Sequence, residues 1–181
     1  MFTRQRARQL FAFAVFIILA SLDNAAMGVL PPLYAIIARD LQASDAALGS
    51  VTAVYLLVVA GAAVLWGYRG DQQKRKPLLF WGTLVWVAAM LLTTLSTNIT
   101  QFLLFQMITA VGVGGISSLG FSVVSDLVPA RRRGLALSLW SVSQGIGASF
   151  GALLAGTVGA FDWRYPFWTI AVIGLLFALL F

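Results

Sequence analysis

Six stretches of this 181-residue chain are apolar over about the length that a helix needs to cross a bilayer. A hydrocarbon core of roughly 30 Å takes about 20 helical residues at 1.5 Å each. The stretches fall at 10–37, 48–67, 78–95, 102–127, 135–159 and 165–181, joined by short polar or charged connections. Composition points the same way. Apolar residues make up 60% of the chain and charged residues 10%, against roughly 45–50% and 25% in soluble domains, too few charges to cover a water-facing surface. The expected fold class is all-α: a polytopic protein of the inner (plasma) membrane, with six transmembrane helices forming one bundle over residues 1–181 and the lipid bilayer as its first partner.

Basic residues set the orientation, because cytoplasmic loops retain Lys and Arg. Arg4, Arg6 and Arg8 precede the first run, Arg69, Lys74, Arg75 and Lys76 follow the second, and Arg131, Arg132 and Arg133 follow the fourth. Only Arg39 and Arg164 lie on the opposite side. Both termini are therefore expected in the cytoplasm, as an even number of spans also requires. Residues 4–20 share the basic-then-apolar pattern of a signal peptide, yet the apolar pattern resumes through 25–37 and five more runs follow. The Asn98-Ile99-Thr100 sequon sits too close to the membrane for glycosylation to be expected.

The chain contains no His, no Cys and no Glu. Disulfides, thiolate nucleophiles, His-based triads and zinc sites are thereby excluded, so no metal site, cofactor or catalytic residue is expected. Two-carboxylate proteolysis within the membrane would need a second deep acid. Gly112-Val-Gly114 lies inside an apolar run and follows no strand, so it is not a dinucleotide loop. The expectation is a protein that is not an enzyme and has no nucleic-acid partner.

The acids are Asp23, Asp40, Asp45, Asp71, Asp126 and Asp162. Asp23 lies about 13 residues into the first run, roughly 20 Å along a helix and near mid-membrane. An Asp there costs roughly 2.5–3.5 kcal/mol on insertion scales, and such residues usually face a bundle interior or water, often on an ion or proton path. Asp23 is the candidate coupling or protonation site; the alternative is a packing role, held by Asn24 and neighbouring hydroxyls. Pro31 and Pro32 lie one to two turns on and should kink the outer part of the span. Because polar groups in lipid point inward, Asn24, Tyr55, Gln106, Thr109 and Gln144 are the expected cavity lining.

At the cytoplasmic face, Gly67-Tyr-Arg-Gly-Asp71-Gln-Gln-Lys-Arg75-Lys76 follows the second run and Asp126-Leu-Val-Pro-Ala-Arg-Arg-Arg-Gly134 follows the fourth. Together they resemble the major facilitator superfamily of secondary transporters. The first is similar to the family's Gly-x-x-x-Asp-Arg-x-Gly-Arg-Lys at Gly67, Asp71, Arg75 and Lys76, with Gln72 and Lys74 where Arg and Gly are usual. The second is similar to Asp-x-x-Pro-x-x-Arg-Arg-Gly at Asp126, Pro129, Arg132, Arg133 and Gly134. The resemblance implies a cytoplasmic gate in which Asp71 and Asp126 pair with Arg75, Arg132 and Arg133 and rearrange during alternating access.

Residues 22–31 with Ser44-Asp45 also resemble spinster-like transporters, although Gly115 stands where those tend to carry an acid and Gln106 where a functional Arg is frequent. Gly147-Ala148-Ser-Phe-Gly151 resembles the antiporter signature of the fifth span, with Ala148 in place of its Pro. Gly112, Gly114, Gly147 and Gly151 are expected to let helices approach closely. The resemblance covers essentially the whole chain but only one six-helix half of a twelve-helix protein. The missing half is expected either as further sequence, since 165–181 is short and ends without a polar anchor, or as a second copy of the chain in a symmetric dimer. The function expected is secondary active transport of a small or amphipathic, lipid-like organic solute, proton- or cation-coupled at Asp23. A non-transporting membrane scaffold is the alternative.

Overall fold

The computed structural model describes residues 2–180, apart from the side chains of 2–9, Asp45 and Leu127. Arg4, Arg6 and Arg8, which contribute to the expected orientation, and Asp45 lie outside the described side chains, and Phe181 lies outside the described residues. Seven α-helices and one 3₁₀ turn make up the fold of the described residues: α1 (Phe2–Gly28), α2 (Leu30–Asp40), α3 (Asp45–Gln72), α4 (Arg75–Thr93), α5 (Ile99–Leu127), the turn (Ala130–Arg132), α6 (Arg133–Thr157) and α7 (Arg164–Leu180).

The first predicted span is two helices, α1 and α2. Val29 keeps helical dihedrals, and its amide still donates to the Ala25 carbonyl at 3.1 Å. Pro31 and Pro32 follow at once in the first turn of α2, and their missing N–H groups end the continuous ladder. Elsewhere, side chains set the helix starts. Ser44 Oγ accepts from the Ala47 amide at 3.2 Å to begin α3. Asn98 Oδ1 accepts from Gln101 N at 2.9 Å to begin α5, while Gln101 Oε1 accepts from Thr97 N at 3.0 Å. The Asn of the sequon thus serves as a helix cap.

Four described helices are long and apolar enough to cross a membrane, Leu10–Gly28, Ala46–Gln72, Arg75–Thr93 and Ile99–Asp126, and Arg164–Leu180 is a shorter apolar helix. The fifth predicted span corresponds to α6, 25 residues long, whose Ser, Gln and Gly content dilutes its apolar character. Large apolar side chains point outward along these helices, among them Leu57, Val64, Leu153 and Leu179, which suits a surface solvated by hydrocarbon.

Around the bundle the neighbours run α3, α5, α4, α7, α1, α6, and α1 also touches α5. Small residues make this arrangement possible. A Cβ on Gly147 would run into the Ser21 carbonyl, and one on Gly151 into the Ala25 carbonyl, so α6 lies directly on the backbone of α1. On α5, a Cβ on Gly112 would sit 2.6 Å from the Trp86 amide nitrogen of α4, and one on Gly114 would sit 2.9 Å from the Val59 carbonyl of α3. All four packing glycines are at close helix approaches. Trp86, fully buried, reaches from α4 to Gly174 of α7.

Gly145 and Gly156 lie on the same helix as Gly147 and Gly151, but a Cβ at either would meet nothing within 4 Å. Gly151→Val should therefore lower the stability of the detergent-solubilised protein by about 1–3 kcal/mol or more, the range for overpacking. Gly145→Val should leave the melting temperature unchanged within a degree or two, about what a surface change of a few tenths of a kcal/mol would move.

Candidate functional site

Asp23 of α1 is 2% exposed and Tyr55 of α3 is 1% exposed. Asp23 Oδ1 and the Tyr55 hydroxyl are both buried without a hydrogen-bond partner. An unpaired buried polar atom ordinarily costs about 1–3 kcal/mol and calls for an explanation. Among the described residues, Asp23 is the one carboxylate whose side chain is buried.

The other expected lining residues divide. Gln106 and Thr109 of α5 are buried, while Asn24 and Gln144 are half-buried. Thr109 Oγ1 donates to the Phe105 carbonyl at 2.9 Å and Asn24 Nδ2 to the Ala20 carbonyl at 2.9 Å, so both donors are occupied within their own helices. Two cavities, of about 460 and 340 Å³, lie elsewhere, and Asp23 lines neither.

At the end of the bundle that carries the charged loops, Arg75 Nη1 lies 2.5 Å from Asp126 Oδ2. Asp126 sits in the last turn of α5, where the helix dipole disfavours an anion, and the cation from the start of α4 compensates. Arg133 takes a different role from the expected ion pair: its Nη2 donates to the Ser125 carbonyl at 3.0 Å and its Nε to the Val128 carbonyl at 3.4 Å, capping the end of α5. Asp71, Lys76 and Arg132 are exposed, and Asp71 has no ion pair among the described residues. A Cβ on Gly67 would have nothing within 4 Å.

Two features went unread in the sequence. Trp66 of α3 lays its ring 3.3 Å from the Cβ position of Gly115 and donates from Nε1 to the Val111 carbonyl at 2.7 Å. Gly115, where an acid was the comparison, is the seat of an indole. At the opposite end, Asp40, Asp162, Trp163 and Arg164 form a connected network. In the sequence, Arg164 figures only as a basic residue on the side with few charges.

The Major Facilitator Superfamily model matches residues 12–181. The chain belongs to the major facilitator superfamily. Among its relatives is the multidrug resistance protein MdtL of Salmonella typhimurium, 34% identical over 149 residues, which are 80% of this chain and 37% of that protein. The same protein of Salmonella paratyphi A is 33% identical over the same length. Among solved structures, a bacterial homologue of the human lysosomal transporter Spinster, inward-facing and unoccupied, superposes with a TM-score of 0.81 at 20% identity, over 97% of this chain and 42% of that one. A POT family transporter superposes at 0.71 with 18% identity, over 98% and 40%. The chain thus spans well under half the length of the relatives it matches. Superfamily membership makes it a multi-pass integral protein of the inner (plasma) membrane, in a family of transporters and not of enzymes, and the spinster-like resemblance extends to the fold.

The charged ends can be probed separately. The Arg75 and Asp126 side chains are 31% and 57% exposed, and an ion pair so open to solvent contributes about 0.2–1 kcal/mol. Arg75→Gln should therefore change stability in a detergent melt by no more than about 1 kcal/mol. At the opposite end, the Trp163 hydrogen bond above all holds the Asp40 carboxyl below its usual value of 3.8, and the Arg164 hydrogen bond and charge add to it against the opposing effect of desolvation. The stability this contributes is complete above the unfolded value and is lost as pH falls through the lower folded one. Asp40 should stay ionised from about pH 5 upward in difference infrared spectra, with its carboxylate band fading only below the ordinary aspartate range.

Proposed function

We propose that this chain supplies one six-helix half of a secondary transporter that moves an organic solute by alternating access, with Asp23 as its proton or cation site. The observation that carries the reading is a mid-span carboxylate, buried, with one oxygen unpartnered, in a bundle that also buries the Tyr55 hydroxyl unpartnered. Ionisable groups inside a membrane bundle commonly mark ion or proton paths. A carboxylate that meets water in one state and the bundle interior in another exchanges a proton or cation in step with that change.

The superfamily and the names of the MdtL relatives, multidrug resistance proteins, support an amphipathic organic solute. Exchange of solute against protons, and so export, agrees with both. Asn24 and Gln144, half-buried on this half alone, are its polar wall, backed by the buried Tyr55, Gln106 and Thr109, and a second six-helix unit, as further sequence or as a second copy, provides the facing wall. Gly67, Asp71, Arg75, Lys76, Asp126, Arg132 and Arg133 form the cytoplasmic gate, and the weak exposed pair Arg75–Asp126 is a contact that can open and close in each cycle.

Asp23→Asn removes the titration while keeping the shape. In vesicles with an imposed proton gradient, dye or drug flux by the parent protein should vary with pH by up to about tenfold per unit, the limit for one titrating group. The Asn variant should fold equally well and show a flux independent of pH. Unaltered pH dependence in that variant rules Asp23 out as the coupling site.

A further inference from the structure

The outer ends of three helices meet on one guanidinium. Arg164, the first residue of α7, donates through Nη2 to Asp40 Oδ2 at 2.9 Å and through Nε to the Thr94 carbonyl at 3.1 Å. The Ser96 carbonyl lies 3.5 Å from Nη2 and Asp162 Oδ1 3.6 Å from Nη1. Asp40 is the last residue of α2, and Thr94 is the C-terminal cap of α4.

Trp163 strengthens the same corner. Its Nε1 donates to Asp40 Oδ2 at 2.9 Å, and the Arg164 guanidinium sits 4.3 Å from its ring centroid. The ring is 2% exposed and packs edge-on against Phe102 and Phe167, with centroids 5.8 and 5.9 Å away. Only a planar fork with several fixed donors reaches a carboxylate and a carbonyl on different helices at once. By contrast, α2 joins α1 through the proline-broken step at 28–31.

We propose that Arg164 is a positioning residue for transport: it binds α2 to the outer ends of α4 and α7 so that the three move as one body, and the proline break is the joint about which α1 tilts. The proposal rests on the transport reading above, but its first test needs no transport.

The chain has no cysteine of its own, so Ile36→Cys on α2 and Trp168→Cys on α7, both exposed positions, can carry spin labels in the protein reconstituted in lipid vesicles. The expected result is one narrow distance distribution, unchanged by pH or a proton gradient. Arg164→Gln should broaden it, and Arg164→Lys, which keeps the charge but lacks the planar fork that spans both acceptors, should fall between. If Arg164→Gln does not accumulate as folded protein, Asp40→Asn should give the same broadening.

In flux assays Arg164→Gln should lower the maximal rate by about tenfold, as a misplaced element does, with KM within about twofold. A distribution in Arg164→Gln as narrow as the parent's, or one in the parent that shifts with the gradient, overturns the proposal. Broadening without loss of rate overturns the role in transport. No flux by the parent under any gradient strikes the function proposed for Asp23, and the distances alone then decide whether the three helix ends form one body.

Discussion

The carbonyl oxygens of Ser21 and Ala25 lie against Gly147 and Gly151, and no side chain separates α1 from α6 along that line. In a helix at about 100° per residue, Ser21 and Ala25 share a face while Asp23 stands about 200° from Ser21, on the opposite one. Backbone contact on one side therefore turns Asp23 to the other, where it is buried in the bundle interior. If α6 were held off by even a methyl group, α1 would be free to rotate, and the carboxylate would lose its fixed direction.

That seam explains which parts of the molecule are legible from sequence. Apolar runs of membrane length, the proline kink and the burial of Asp23 follow from what hydrocarbon does to peptide groups and charges, so a sequence displays them directly. Close-packing glycines are harder, because Gly147 and Gly151 alternate with Gly145 and Gly156, which touch nothing. Four-residue spacing suggests a face, and only the position of the neighbouring backbone says which glycines use it.

The charged residues are the least legible, for a related reason. Sequence pattern sends Arg133 to a carboxylate, yet the carbonyls of Ser125 and Val128 at the end of α5 need a donor just as much. Arg164 serves in the sequence only to orient the chain, because its partners Asp40 and Thr94 are 124 and 70 residues away. Gly115 makes sense only with Trp66 lying over it, a contact between α3 and α5 that no local pattern encodes.

The two ends of the bundle consequently differ in kind. At the end with many charges, one exposed ion pair ties α4 to α5, a contact weak enough to break and reform at little cost. At the other, a guanidinium, an indole and a carboxylate share several hydrogen bonds above a buried aromatic cluster, and a connected polar network of this kind rigidifies what it joins. Alternating access needs a half that flexes somewhere and holds elsewhere. In the cycle proposed above, the proline break serves as the joint, the Arg164 corner as the anchor and the Arg75–Asp126 pair as the exchangeable contact, and α6, seated on the backbone of α1, moves with it.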